Sequence, residues 1–163
     1  MIPGPGPVVF PIRDGVLGSV ISFEGAFSRH IRDGAREGSQ LMVIATNESS
    51  YGPDAPGSDQ LIEMARVHDA AIGQDLILAA ITGKSTFITA EGDVGEKTEP
   101  LEETVIYADV QFRTAGPTLF TRLGDWMVLV AVAGAAAGIF TPGPGRPEGG
   151  LRRSRSSATR SLY

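Results

Sequence analysis

The strongest constraint on this chain is a polar loop that opens onto an uncharged stretch. The loop, Gly116 to Trp126, contains Arg122 and Asp125, and no charged residue follows it up to Phe140. A tryptophan ring is mostly apolar while its N–H needs a hydrogen-bond partner, so Trp126 suits a boundary between water and lipid. The pattern predicts a chain that leaves a folded domain for a membrane.

The uncharged stretch is short for a membrane span. At 1.5 Å per residue it covers ~22 Å, against a hydrocarbon core of ~30 Å, so its length alone fits a buried core helix equally well. Two features favour a span: the break at Pro142 before a group of arginines, and the small residues from Ala133 to Gly138, which are typical of packed membrane helices. We therefore expect residues 119–141 to form an exit loop and a transmembrane helix.

Charge is distributed unevenly along the chain. Residues 142–163 carry five arginines and one acidic residue, Glu148, so this segment has a charge of +4. The whole chain has a net charge of −5, so the remaining residues together carry −9. This segment is short and rich in serine, which predicts a disordered tail on the cytoplasmic side of a membrane and no nucleic-acid contact.

The chain has no cysteine, which excludes disulfides, thiolate metal sites and a cysteine nucleophile. No signal peptide is expected, because Met1 precedes prolines and glycines and not a basic start with an apolar run.

Strands and helices alternate before the exit loop. After a Pro/Gly-rich, extended leading segment (1–15), the apolar pattern predicts strands over 16–23, 41–46, 76–81, 86–90 and 104–112, and helices over 26–37 and 58–72. Ser58 is the predicted N-cap of the second helix and Gly73 its C-cap. Its predicted inward stripe is Leu61, Met64, Ala65, His68 and Ile72. The alternation predicts an α/β domain over residues 16–118.

Three short motifs are incomplete. Thr82 to Ser85 has the ending of a phosphate-binding loop but lacks its first glycine, and it is predicted to connect two strands. Ser22 follows a strand as a hydrolase nucleophile would, without the flanking glycines of that motif. His30 and His68 are the only histidines, too few for a metal site, and His68 is expected to be a hydrogen-bonded structural residue. The sequence predicts neither a metal nor another cofactor.

Five segments together resemble a known family. They are S-V-I-S-F-E (19–24), L-M-V-I-A-T-N-E-x-x-Y-G (41–52), D-Q-L-I-E-M-A-R (59–66), T-G-K-S-T-F-I-T-A-E-G (82–92) and G-P-T-L-F-T-R-L-G-D-W (116–126). Over roughly residues 5–140 their order resembles the C-terminal part of bacterial apolipoprotein N-acyltransferase. That family is an integral-membrane branch of the nitrilase, or carbon–nitrogen hydrolase, superfamily.

The resemblance implies a fold, a place and a reaction. The fold is a partial nitrilase-like α-β-β-α sandwich followed by one transmembrane helix, with the sandwich on the outer side of the cytoplasmic membrane. The family moves an acyl chain from a phospholipid donor to a cysteine thiolate and then to the N-terminal amine of a lipoprotein acceptor. A thioester intermediate divides one difficult transfer into two easier ones. Some actinobacterial relatives associate with a polyprenol-phosphate mannose synthase, a further candidate partner.

Only some of the family's functional residues have counterparts in this sequence. Its C-(Y/F)-E nucleophile segment falls on Ser22, Phe23 and Glu24, so the nucleophile position holds a serine. Asn47, Tyr51 and Gly52 match the loop beside the pocket, and Glu48 lies among them. The family's general-base glutamate and its lysine precede the nucleophile strand and have no counterpart here. Neither Glu48 nor Lys84 replaces them by motif.

These departures leave three hypotheses. The first is a truncated or degenerate acyltransferase that is inactive alone, because a serine hydroxyl without a positioned base is a weak nucleophile. The second is a membrane-anchored pseudoenzyme that binds a partner. The third is a soluble nitrilase-type amidohydrolase that uses Ser22.

Overall fold

Six strands form one sheet in the order in which they follow each other along the part of the chain that the structure describes. The structure is a computed structural model that describes residues 4, 6–52 and 56–140. The strands are β1 (Val8–Ile12), β2 (Gly15–Ile21), β3 (Leu41–Thr46), β4 (Asp75–Ala80), β5 (Thr86–Ile88) and β6 (Val94–Lys97). β2, β3 and β4 are parallel, and the other neighbours are antiparallel. The sheet is therefore mixed, with its parallel part in the middle.

Two helices cross over between the parallel strands. A 3-10 turn (Ser22–Ala26) and α1 (Ser28–Arg36) connect β2 to β3, and α2 (Gly57–Ile72) connects β3 to β4. Both helices contribute to a single buried core with alternate strand residues. Its members are Val20, Ile31, Met42, Ile44, Leu61, Ile62, Ala65, Ile72, Leu76, Leu78 and Ile88. Such a continuous apolar cluster between helices and a sheet is the main source of stability for an α/β layer.

The last helix belongs to a different compact unit from the α/β domain. Met1–Trp126 forms one unit, which ends with α3 (Leu119–Leu123), and Met127–Tyr163 forms the other. α4 (Trp126–Phe140) is a regular helix, so the helix predicted in this region is confirmed. None of the helices within the described ranges has the length and apolarity needed to cross a membrane. The transmembrane prediction is therefore not confirmed, and the predicted tail lies outside the described residues.

Most predicted elements of the domain are confirmed, but two were misjudged. No paired strand forms over residues 104–112 in the described structure, and Tyr107 is 89% exposed. A strand-like pattern cannot by itself supply a hydrogen-bonding neighbour. The leading segment, by contrast, contains β1, which pairs with β2 as a hairpin. Pro11 lies in this edge strand, where a missing N–H is tolerated.

The prediction for α2 needs two corrections and has two confirmed details. Pro56 occupies the N-cap position and Ser58 lies inside the first turn, where its hydroxyl has a different partner, described below. Met64 is 40% exposed and so does not belong to the buried stripe. Gly73 ends the helix with φ of 68°, a left-handed conformation that glycine adopts without strain. The His68 ring lies 3.2 Å from the carbonyl oxygen of Ala26 and is structural, as expected.

Residues 94–97 form β6, which the sequence pattern did not predict.

Candidate functional site

The predicted site residues gather at one edge of the sheet, where the three parallel strands end. Ile21 pairs with Ala45, and Ala45 pairs with Ala79, so the strands end side by side. Ser22 follows β2, Asn47 and Glu48 follow β3, and Thr82 comes shortly after β4. Parallel strands place their carboxyl ends together, and in open α/β sheets this edge is where ligands bind. We call this region the carboxyl edge.

Ser22 has an unusual backbone conformation. It is half-buried at the turn from β2 into the 3-10 turn, and its φ is 54°. A left-handed backbone is uncommon outside glycine and is concentrated at functional sites. A sharp turn between strand and helix is also the geometry that presents a hydrolase nucleophile. Its hydroxyl has no hydrogen-bond partner among the residues that the structure describes.

Substitution at Ser22 tests this conformation. Ser22→Gly is expected to keep the free energy of unfolding at or above that of the wild type, and Ser22→Val to lower it by about 1–2 kcal/mol, because a β-branched residue is strained at positive φ. Urea denaturation followed by circular dichroism measures both. Ser19, inside β2, is the matched control: there valine should be the more stable variant and glycine the less stable. The same order at both positions would contradict the strained turn.

Glu24 stabilises the turn that carries Ser22. Its Oε2 accepts a hydrogen bond of 2.9 Å from the N–H of Ile21, and the residue is exposed. Phe23 is 58% exposed and meets Phe27 edge to face, with ring centroids 5.4 Å apart. Phe23 also lines a cavity of about 270 Å³ with Tyr51. The segment 22–24 therefore combines a free hydroxyl with a carboxylate engaged by the backbone.

Glu48 is the buried carboxylate of this edge. It is 4% exposed, its Oε2 accepts a hydrogen bond from the Ser58 hydroxyl, and its Oε1 has no partner in the described chain. The backbone at Gly83 packs directly against the carboxylate, leaving no room for a side chain there. A buried carboxylate oxygen without a donor is costly and is typical of sites with a further role.

A hydrogen-bond network connects the ends of β3 and β4. The Thr82 hydroxyl accepts from the N–H of Glu48 at 3.0 Å and donates to Oδ1 of Asn47 at 3.3 Å. Asn47 Oδ1 also accepts from the N–H of Ser49 at 3.1 Å. Together these bonds fix the direction of the loop that leaves β3 and hold Glu48 in place.

The loop residues Tyr51 and Gly52 border two small cavities. The Tyr51 ring is 44% exposed and lies against Gly57, at the start of α2. Gly52 has φ of 77° and, with Glu48, Ser58 and other residues, lines a cavity of about 100 Å³. The resemblance thus identified loop residues that the fold does bring to the carboxyl edge.

Lys84 forms an ion pair with a residue of α2. Its Nζ lies 2.7 Å from Oδ2 of Asp59, in the first turn of α2. The hydrogen bond from Lys84 is the main cause that lowers the pKa of Asp59, and the same bond raises the pKa of Lys84. Within the described ranges no group of three or more His, Asp or Glu side chains is arranged to hold a metal ion.

Sequence reasoning missed three members of the carboxyl edge. Ser58 was interpreted as a helix cap, although it is the hydrogen-bond partner of Glu48. Thr82 and Gly83 were considered only as part of an incomplete phosphate-binding loop. The signal that could have identified them is their position directly after the third parallel strand, where the edge must continue. Their connection of β4 to β5 agrees with the strand-to-strand segment expected from the sequence.

An apolar groove opens next to the Ser22 turn. It has a volume of about 480 Å³ and is lined by Ile21, Ala45, Thr46, Asn47, Ala79, Ala80, Ile81 and Ser85. Ile21 is 66% exposed and Ile81 is 79% exposed. Exposed isoleucines on both sides of a groove favour a ligand with a hydrocarbon part.

Comparison with known proteins identifies relatives of the sequence. No family profile matches the chain. The apolipoprotein N-acyltransferase of Geobacter metallireducens is 30% identical over 134 residues, which are 82% of this chain and 25% of that protein. That of Thermosynechococcus vestitus is 33% identical over 132 residues, 78% of this chain and 25% of that protein. The resemblance to the apolipoprotein N-acyltransferases is confirmed. The chain spans about a quarter of the length of these curated relatives.

Solved structures agree on the fold. An amidase of the nitrilase superfamily from Nesterenkonia sp. AN1, solved as a cysteine-to-alanine mutant, superposes with a TM-score of 0.51 at 18% identity. The match covers 61% of this chain and 40% of the amidase. The same amidase in complex with butyramide gives a TM-score of 0.50. The apolipoprotein N-acyltransferase-like sequence therefore adopts an α/β fold of the nitrilase type.

Proposed function

We propose that this chain is an apolipoprotein N-acyltransferase-like protein that accommodates an acyl chain at the carboxyl edge and does not transfer it by itself. The observation that carries the proposal is the Ser22 hydroxyl. By the family resemblance it falls at the nucleophile position. It lies on a turn with positive φ, and no described side chain accepts its proton. A serine hydroxyl needs a positioned base to attack an ester at neutral pH.

The two nearby carboxylates are engaged elsewhere. Glu24 accepts the N–H of Ile21 and stabilises the backbone of the turn. Glu48 accepts the Ser58 hydroxyl in a buried position. A general base must lie within hydrogen-bond reach of the proton that it removes. Neither carboxylate has such a contact with Ser22, which supports a binding role for this edge without catalysis.

The apolar groove and α4 support lipid as the ligand class. The groove beside Ile21 has an apolar wall suited to a hydrocarbon chain. α4 is uncharged, and Leu129 is 72% and Ile139 81% exposed. A helix that is apolar on all sides is stable only in apolar surroundings. The proposal therefore includes contact with a phospholipid membrane, with a phospholipid as acyl donor and a lipoprotein as acceptor class.

An acyl-transfer assay tests this function. The purified chain in detergent is incubated with a phospholipid donor and a diacylated lipopeptide, and the lipopeptide is analysed by mass spectrometry. We expect no N-acylated product above a protein-free control, because the missing base removes about 10²–10⁴-fold in rate and the thiol is absent too. Ser22→Cys restores the thiol only and is also expected to give no product.

The contrary result is equally specific. N-acylated lipopeptide formed by the wild type, lost in Ser22→Ala and retained in Ser50→Ala, would show that Ser22 is a working nucleophile. Ser50 is a suitable control because it is exposed in the loop after β3. Product that persists in Ser22→Ala would instead indicate a contaminating enzyme in the preparation.

A further inference from the structure

A cavity lies at the sheet edge opposite Ser22, where β3 and β4 begin. Its volume is about 590 Å³. Residues that precede β3 and β4 form one side of it, and the segment that leads into α3 forms the other. The lining residues that matter here are Arg36, Gln40, Gln74, Arg113, Gly116 and Arg122. We call this space the amino-edge cavity.

All charged residues that line the amino-edge cavity are positively charged. Three arginines line it, and none of its lining residues is acidic. Arg113 is neutralised, since its guanidinium lies 3.3 Å from Asp75 and 3.2 Å from Glu91. Arg36 and Arg122 are exposed, and their guanidinium groups have no ion-pair or hydrogen-bond partner in the described residues. Two uncompensated positive charges therefore border one cavity.

Neutral donors add to these charges. Gln40 Oε1 accepts the N–H of Val16 at 3.0 Å, which leaves the amide NH₂ of Gln40 without a described acceptor. The N–H groups of Thr114, Ala115 and Gly116 also donate to no acceptor within the described ranges. The bonds between Ser39 and Gln74, 3.0 and 2.6 Å long, make the base of the cavity rigid. The lining thus offers several neutral N–H donors beside the two arginines.

We propose that the amino-edge cavity binds the oxyanion of a phosphate-bearing ligand, with Arg36 and Arg122 as its charged contacts. A guanidinium presents its N–H groups as a planar fork that matches phosphate oxygens. The C-termini of α1 and α2, which both border the cavity, oppose an anion with about half a negative charge each, which two full positive charges outweigh. The proposal does not rest on the acyl-transfer function, because the two sites occupy opposite edges of the sheet.

Charge-removing variants test the site with defined probes. Inorganic phosphate and glycerol 3-phosphate are titrated into the full chain by calorimetry. Vesicles of phosphatidylcholine with or without phosphatidylglycerol are tested by flotation. The double variant Arg36→Gln/Arg122→Gln is expected to weaken binding at least ~10-fold, as loss of charge-assisted hydrogen bonds implies. The matched control is Arg29→Gln, since Arg29 is exposed on the same helix but does not line the cavity.

The two groups of probes distinguish the ligand's source. Loss of affinity for the free phosphates identifies a soluble phosphate ligand. Loss confined to the phosphatidylglycerol vesicles identifies a lipid headgroup. The apolar helix α4 contributes equally to vesicle binding in the double variant and in Arg29→Gln, so comparing these two variants removes its contribution. Equal binding by the double variant and Arg29→Gln in both arms would overturn the proposal. Thermal unfolding of both variants is measured alongside, and because both side chains are exposed, we expect unchanged midpoints.

Discussion

Replacing Asp69 with asparagine is expected to stabilise the folded chain by about 2–4 kcal/mol at pH 7. Asp69 lies in α2, is fully buried, and neither carboxyl oxygen has a partner in the described structure. Burial is the main cause that raises its pKa to about 9, and the negative charge of Asp75 raises it further. At neutral pH the folded chain must therefore hold a proton that the unfolded chain releases.

The sign of the pH dependence follows from this raised pKa. The contribution of Asp69 to stability is fully present below its usual pKa of 3.8 and is lost as pH rises towards about 9. Asparagine has the same shape and no charge, so the variant should escape this loss. Its advantage over the wild type should be small at pH 4.5 and large at pH 8.

Urea denaturation at both pH values measures the difference. Asp109→Asn is the matched control, because Asp109 is exposed and a surface substitution changes stability by only ~0.5 kcal/mol. An Asp69→Asn variant that is no more stable than the wild type at pH 8, or a gain that does not grow with pH, would show that the buried carboxyl is not protonated as we infer.

Substitution of Gly83 by alanine is expected to destabilise the chain by about 1–3 kcal/mol, the usual cost of overpacking a filled interior. Gly83 is buried in the connection from β4 to β5. A methyl group there would overlap the Glu48 carboxylate and approach the Ser58 hydroxyl to 2.9 Å. The Glu48 carboxylate is buried and bonded to Ser58, so it can move away only by breaking that hydrogen bond.

A double-mutant cycle separates this collision from other effects. In a Glu48→Ala background the overlap with the carboxylate is removed and the Ser58 hydroxyl, no longer bonded to Glu48, can rotate away, so Gly83→Ala should cost less than in the wild type, with a coupling energy of about 1–2 kcal/mol. Gly116→Ala is the control, since the added methyl would meet only Arg122 Nη2, at 3.9 Å. Equal costs of Gly83→Ala with and without Glu48 would mean that the carboxylate does not occupy the position next to Gly83.

Local patterns were sufficient for the centre of the domain. β2, β3 and β4 are mostly apolar segments of six or seven residues, and α2 has a buried face at helical spacing. Apolar strands that alternate with helices predict an α/β domain. The family resemblance assigned Ser22 and Asn47 to one site, with Glu48 beside Asn47, and in the structure these residues follow the parallel strands β2 and β3.

Patterns failed where an element depends on a distant neighbour. Residues 104–112 are rich in β-branched and aromatic residues like a strand, yet a strand exists only if another strand accepts its hydrogen bonds. The sequence pattern did not reveal β1 because it contains Pro11 and follows a segment of prolines and glycines, although a hairpin partner in β2 was available. The pairing register of a sheet depends on two strands, so it cannot be predicted from the composition of one of them.

The sequence by itself determined the α/β class, the apolar strands and helices at the centre of the domain and the similarity to apolipoprotein N-acyltransferases. Only the tertiary structure decided the parallel pairing of β2, β3 and β4, the burial of Glu48 against Ser58 and Gly83, and the enclosure of Asp69, whose carboxyl oxygens have no partner in the described residues. The reason is physical. Periodicity and turn chemistry act between near neighbours, whereas burial and the pairing of polar groups are fixed by residues far apart in the chain.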